Sequence, residues 1–182
     1  MLPAGGGLDD VVGLDVGPAN IVIDACGGDH GGSAALLGKV HEGLLGELLD
    51  HPYFSRKPPK SCGREEFGTD FAQTALDFSL PRADLMATLV ALTNETVSDA
   101  LAPHRVDRLL ISGAGVYNRA LVRDLKQRFR VLPTDAFGVG ARVKEALDFA
   151  LLAFASWQRI PAGLPNVTGA RHPTVLGQVS WS

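Results

Sequence analysis

Apolar residues recur along this chain at two different periods, and each period predicts a different kind of element. Leu37, Val40, Leu44, Leu45, Leu48 and Leu49 fall three and four apart, which predicts a helix with one buried face running from about Ser33, its N-cap, to Leu49. The same spacing places Leu85, Leu89, Leu92 and Val97 on one side of a helix over Arg82–Leu101, and predicts two more over Asn118–Phe129 and Arg142–Trp157. Four shorter runs, Val11–Leu14, Ile21–Ile23, Val106–Ser112 and Arg130–Leu132, read as strands. Gly17-Pro18 separates the first two with turn chemistry, which predicts a hairpin with Asp15 at its mouth. HPYFSRKPPKSCGREEF is too rich in proline and charge for a helix, so it reads as a loop. Tyr53, Phe54 and Phe67 are placed to anchor that loop, and Arg64 has acidic neighbours to pair with. Strand and helix alternate in the second half, which predicts an α/β layer with at least one parallel pair. No repeat or low-complexity linker divides the chain, so it reads as one domain or one lobe of something larger.

Composition narrows the class without changing that outline. The 182 residues are 46% hydrophobic and 20% charged, as in ordinary globular domains that bury a core. A net charge of −3 with no basic block argues against nucleic acid as a partner. No stretch reaches the ~20 apolar residues of a membrane span. The opening MLPAGGGLDD lacks the basic and apolar regions of a signal peptide, and Cys26 and Cys62 suit free thiols of a reducing cytoplasm.

Three stretches carry candidate chemistry. Ser112–Asn118, SGAGVYN, lies between a predicted strand and helix, where small residues let backbone amides face a phosphate or a flat ring. A plain tight connection would look the same. Asp15 and Asp24 stand nine apart across the predicted hairpin, and could serve as a general base or hold magnesium through water. Glu145 opens the last long helix ahead of Ala146, Phe149 and Ala150, which read as core positions. An isolated helical glutamate there is ordinarily solvated or paired with Arg142 or Lys144. Cys26, Asp29 and His30 share a glycine-rich loop, but without a second cluster they fall short of a metal site, and no protein metal ligand is assigned.

Taken in order, these stretches resemble the anhydro-N-acetylmuramic acid kinase family of the hexokinase–actin–Hsp70 ATPase superfamily. LDVGPANIVID is similar to that family's aspartate-threonine-glycine-proline-(glycine or alanine)-asparagine stretch, with Val16 in place of threonine. DHGGSAALLGKV keeps the spacing of Asp29, Gly32, Ala35, Gly38, Lys39 and Val40. HPYF with PPKSCGREEF is the most specific match, departing at Cys62 where threonine is usual. ATLVALT, SGAGVYN, KEALDFALLA and NVTGA with Leu176-Gly177 follow in the right order, with departures at Ser112, Ala114 and Val116.

The resemblance implies an α/β fold: the C-terminal lobe of an actin/hexokinase-like (ribonuclease H-like) ATPase, with a mixed sheet and flanking helices. Residues 14–182 would form that lobe, behind a glycine-rich stub over 1–13. It implies a cytoplasmic kinase using ATP and Mg2+ to phosphorylate 1,6-anhydro-N-acetylmuramic acid while water opens the anhydro ring, in peptidoglycan recycling. Asp15 matches the general base, and Gly17 and Asn20 the phosphate-proximal turn. Gly113, Gly115 and Asn118 match the nucleotide-binding loop, and Glu145 a sugar-binding residue. The implied partners are the small-molecule sugar and an N-terminal lobe encoded separately, with room for a homodimer, and neither nucleic acid nor membrane. The alternative is a non-catalytic nucleotide-binding or interaction module derived from such a kinase.

Overall fold

The computed structural model describes residues 1–3 and 5–180, and within it the chain forms two compact units. The larger comprises Val16–Arg56 and Cys62–Arg142, and the smaller Met1–Asp15, Lys57–Ser61 and Val143–Ser182. Every buried hydrophobic side chain among the described residues belongs to the larger unit.

The larger unit runs α1 (Asn20–Ala25), α2 (Glu42–Leu49), α3 (Thr69–Asp77), α4 (Arg82–Leu101), β1 (Leu109–Ile111), α5 (Arg119–Arg128) and β2 (Val131–Pro133). Its axis is α4, where Leu85, Met86, Leu89, Val90 and Leu92 are all buried and packed against α1, α2 and α5. This helix has the bounds that its apolar period predicts. The two strands pair in parallel, Leu109 with Val131 and Ile111 with Pro133, and α5 makes the crossover between them. The α/β layer with a parallel pair is therefore present. Ala120 and Leu125 of α5 and Val131 of β2 are buried where the crossover packs.

Several expectations fail for physical reasons. The hairpin over residues 11–23 is absent: Val11–Leu14 forms no strand, and Ile21–Ile23 lies inside α1. The Ile21 amide donates to the Pro18 carbonyl at 2.9 Å, and consecutive Val22 and Ile23 are both buried, which a helix wedged between neighbours permits. Tertiary packing overrides the β-branched preference here. The mixed sheet built on that hairpin is likewise missing, since the described residues hold one two-stranded parallel sheet.

The helix expected over Ser33–Leu49 begins only at Glu42. Gly31 and Gly32 take positive φ, of 65° and 72°, and break the chain first. Residues 38–41 then run along the start of α4. A Cβ on Gly38 would sit 1.9 Å from the Ala83 carbonyl oxygen. The Lys39 amide donates to Asp84 at 2.8 Å and the His41 amide to Thr88 Oγ1 at 2.9 Å, so these groups are committed to α4. His41 caps α2 instead, its Nδ1 accepting from the Leu44 amide at 3.1 Å. Leu37 is consequently 84% exposed, while Leu44, Leu45 and Leu48 keep the predicted buried face. Helix α3, unforeseen in the sequence, buries Phe71, Ala72 and Ala75.

The loop expected at HPYF is one. Tyr53 and Phe67 are fully buried with ring centroids 5.2 Å apart, and Phe54 stacks on Phe67 at 5.6 Å. Arg56, rather than Arg64, forms a forked pair with Glu66 at 2.8 and 2.9 Å.

The smaller unit carries α6 (Lys144–Trp157) and α7 (Pro165–Thr168). The Asn166 side-chain amide ties α7 to the carbonyls of Asp9, at 3.2 Å, and Val11. Gly13 admits this contact, because a Cβ there would meet Val167 at 2.4 Å. Contrary to expectation, Ala146, Phe149 and Ala150 are not core: α6 buries no residue, and Phe149 is 65% exposed. No helix among the described residues is long and apolar enough to cross a membrane.

Candidate nucleotide-side site

Strand β1 delivers the chain into the glycine-bearing turn that the sequence singles out. Gly113 has φ 75° and ψ −168°, a conformation that glycine alone adopts readily, and its amide donates to the Ala141 carbonyl at 3.0 Å. A Cβ on Gly113 would meet nothing within 4 Å, so the backbone there faces open space. Ala114–Tyr117 forms a single 3-10 turn, and Asn118 then caps α5, its Oδ1 accepting from the Leu121 amide at 3.1 Å. Asn118 is buried, and Gly32 makes room for it: a Cβ on Gly32 would stand 2.2 Å from Asn118 Oδ1.

Beside this turn is a hollow of about 330 Å³. Ile111, Val116, Val122, Val131 and Pro133 give it apolar walls, and Tyr117, Lys126 and Asp135 complete the lining. It adjoins the carboxyl ends of both strands, where open α/β sheets gather ligands. Its size lies at the lower end of the range for small-molecule pockets. The Arg142 guanidinium lies 4.6 Å from the centroid of the half-exposed Tyr117 ring. Asp135 holds the Ala141 amide at 3.2 Å, which helps fix the segment that receives Gly113. Tyr117, Lys126 and Asp135 had no role in the sequence reading, and Arg142 entered it only as a possible partner of Glu145 and the start of a helix. Tyr117 lay inside a flagged motif, but Lys126 and Asp135 reach the hollow only because the two strands are parallel.

Gly113, Gly115 and Asn118 thus share one loop. Gly17 and Asn20 lie elsewhere in the larger unit, at the entry to α1. Gly17 packs so that a Cβ would meet the Phe54 ring at 3.0 Å, and its carbonyl accepts from Cys62 Sγ at 3.8 Å. Ala19 between them holds φ 42°, ψ −121°, which an L-residue adopts only under strain. Asp24 is exposed on α1. Within the smaller unit, Asp15 has an exposed side chain and an amide bound to the Lys60 carbonyl at 3.0 Å, and Glu145 is exposed on the first turn of α6. Asp29 is used structurally, accepting from the Ala34 and Ala35 amides at 2.9 Å each. Burial pushes the Cys26 thiol up from its ordinary value.

A parallel β-α-β unit with a glycine turn at the end of its first strand defines an α/β protein. More specifically, a model of the anhydro-N-acetylmuramic acid kinase family matches residues 7–182, and the chain belongs to that family. Its relatives include the anhydro-N-acetylmuramic acid kinases of Salinibacter ruber, 41% identical over 199 residues, and Bordetella avium, 44% identical over 178. Those alignments cover 99% and 91% of this chain but 50% and 48% of the relatives. A third, from Caldanaerobacter subterraneus, is 35% identical over 99% of this chain and 51% of its own. The chain spans about half the length of the curated relatives it matches.

Proposed function

We propose that this chain is the C-terminal lobe of an actin/hexokinase-like sugar kinase acting on 1,6-anhydro-N-acetylmuramic acid. The observation that carries the reading is the family match over residues 7–182, reinforced by Gly113 standing open at a strand end. In this reading the turn from Gly113 to Asn118 and the adjoining hollow take the adenosine side of ATP, with Tyr117 and Val116 against the base. The volume of the hollow and its mostly apolar wall with a few polar groups fit such a ring. Gly17 and Asn20 lie toward the phosphates, Glu145 toward the sugar, and Asp15 takes the proton of the attacking water as it opens the anhydro bond. The Asp15 side chain is exposed to solvent, and a general base must reach the proton that it takes.

In this reading Mg2+ enters with the nucleotide phosphates and is assigned no protein ligand. Its chemistry is to neutralise phosphate charge. Phosphoryl transfer depends on positioning and on donors aimed at the transferring group, and one lobe supplies part of that set. The chain alone is therefore expected to bind ATP weakly, Ala114 adding a methyl beside the open backbone, and to turn nothing over.

Two measurements test this. Calorimetric titration with ATP and Mg2+ should show saturable binding that Tyr117→Ala weakens about fivefold without moving the thermal midpoint. In a coupled assay with 1,6-anhydro-N-acetylmuramic acid, turnover should appear only when the other half of a family chain is supplied, and Asp15→Asn should lower it by about 10²–10⁴. Absence of ATP binding, or binding indifferent to Tyr117, would defeat the nucleotide assignment. Turnover by the chain alone that Asp15→Asn abolishes would defeat the single-lobe reading.

A further inference from the structure

A 14-residue helix that buries nothing is the least explained part of this molecule. On α6, with Val143 just before it, Val143, Leu147, Leu151 and Phe154 recur four, four and three residues apart and so share one side. They are 58%, 43%, 58% and 59% exposed. Isolated helices of about 12–15 residues are marginal in water, and most helical stability comes from packing an apolar face. Helix α6 is too short to cross a bilayer, which takes about 20 residues. The family match runs straight through it, so it belongs to the family's shared fold and is no appendage.

We infer that the Val143–Phe154 stripe of α6 is the seat for the other half of a full-length family chain, whether that half comes from the same polypeptide or a second one. The inference rests on the kinase-lobe reading above. The length outside the match argues for this occupant. The 199 residues aligned with the Salinibacter ruber relative are 50% of it, so about as many again lie elsewhere. A second copy of this chain is the weaker fit. Four half-exposed side chains meeting their own image fall well short of the ~800 Å² per partner of a stable interface. A whole lobe can cover the stripe and the surface around it.

The test joins this chain, in one polypeptide, to the half of the Salinibacter ruber relative outside the match, and follows amide hydrogen exchange by mass spectrometry. Peptides over Lys144–Trp157 should exchange at least tenfold more slowly in the joined protein than in the chain alone. Leu151→Glu with Phe154→Glu should restore fast exchange there while leaving α4 unchanged. These exposed side chains leave the core untouched, so the pair should fold as the parent does. Unchanged α6 exchange on joining overturns the proposal, as does slow exchange that survives the double substitution. In parallel, sedimentation of the chain alone should show a monomer. A dimer that the double substitution dissolves assigns the stripe to a second copy and also overturns it. The readout is independent of catalysis: a joined protein that protects α6 yet neither binds nor consumes ATP sinks the kinase reading and leaves the seat standing.

Discussion

Ala19 shows how a single residue can hold a motif in tension. Its φ of 42° with ψ −121° lies where a side chain is crowded, at the entry to α1 between Gly17 and Asn20. Such conformations cost roughly 1–3 kcal/mol in a non-glycine residue, while glycine gives back about 0.5–1 kcal/mol through its looser unfolded chain. Ala19→Gly should therefore raise stability by about 1 kcal/mol, read as a higher urea midpoint at unchanged slope. An unchanged or lower midpoint would mean the turn is relaxed as it stands. This strain was not legible in the sequence. Gly17-Pro18 announced a turn, and a turn is there, but its sense depends on Phe54 and Thr96 packing beside Gly17, which no local pattern reveals. Asn118 was legible as a motif member, yet its cap on α5 depends on the cleft at Gly32.

Elements were legible where their own chemistry decides them. Helix α4 has its predicted bounds because a continuous apolar period runs from Arg82 to Leu101 behind Pro81. Strands β1 and β2, at three residues each, were legible as apolar runs spaced by a helix. The segment over 33–41 was not, because the Ala34 and Ala35 amides bond to Asp29 and those of Lys39 and His41 to side chains of α4, which diverts them from a continuous helix. A clamp between elements adds a pH dependence. Arg128 on α5 forms a forked pair with Glu95 on α4 and also donates to Ser98 at 2.8 Å. The hydrogen bond from Arg128 holds the Glu95 carboxyl below its ordinary 4.5, against the opposing effect of burial. A carboxyl that ionises more readily when folded stabilises the fold above its unfolded value, and that contribution fades as pH falls below about 4.5. With both side chains a third or more exposed, solvent reduces the pair to roughly 0.5 kcal/mol. Glu95→Gln should lose about that much at pH 7 and almost nothing near pH 3, measured by denaturant midpoints at the two values. An equal loss at both would assign the effect to packing.

At the scale of the whole molecule, the distribution of the core sets the order of stability. The larger unit holds every buried hydrophobic side chain among the described residues, with α4 at its centre, while α6 buries none. Opening free energies follow burial, so α4 amides should be the slowest to exchange, and α6 amides of the chain alone should approach unprotected rates. Slow exchange in α6 without any partner would show that the smaller unit has cohesion its side chains do not reveal. The sequence announced α6 as a helix but not its exposure. Periodicity records that one side of a helix is apolar, and is silent on whether the surface meant to cover it is present.

The close approach of Gly32 to Asn118 has a consequence for how this sequence can change over generations. The two positions are 86 residues apart and fall in motifs that would be read as separate, DHGG and SGAGVYN. A methyl at 32 would occupy the place of the amide at 118 and press within 2.9 Å of the Ala120 nitrogen, so the start of α5 would have to move. Natural selection meets them as one character: a lineage that abandons the glycine must also rewrite the helix start, and with it the turn that faces the hollow.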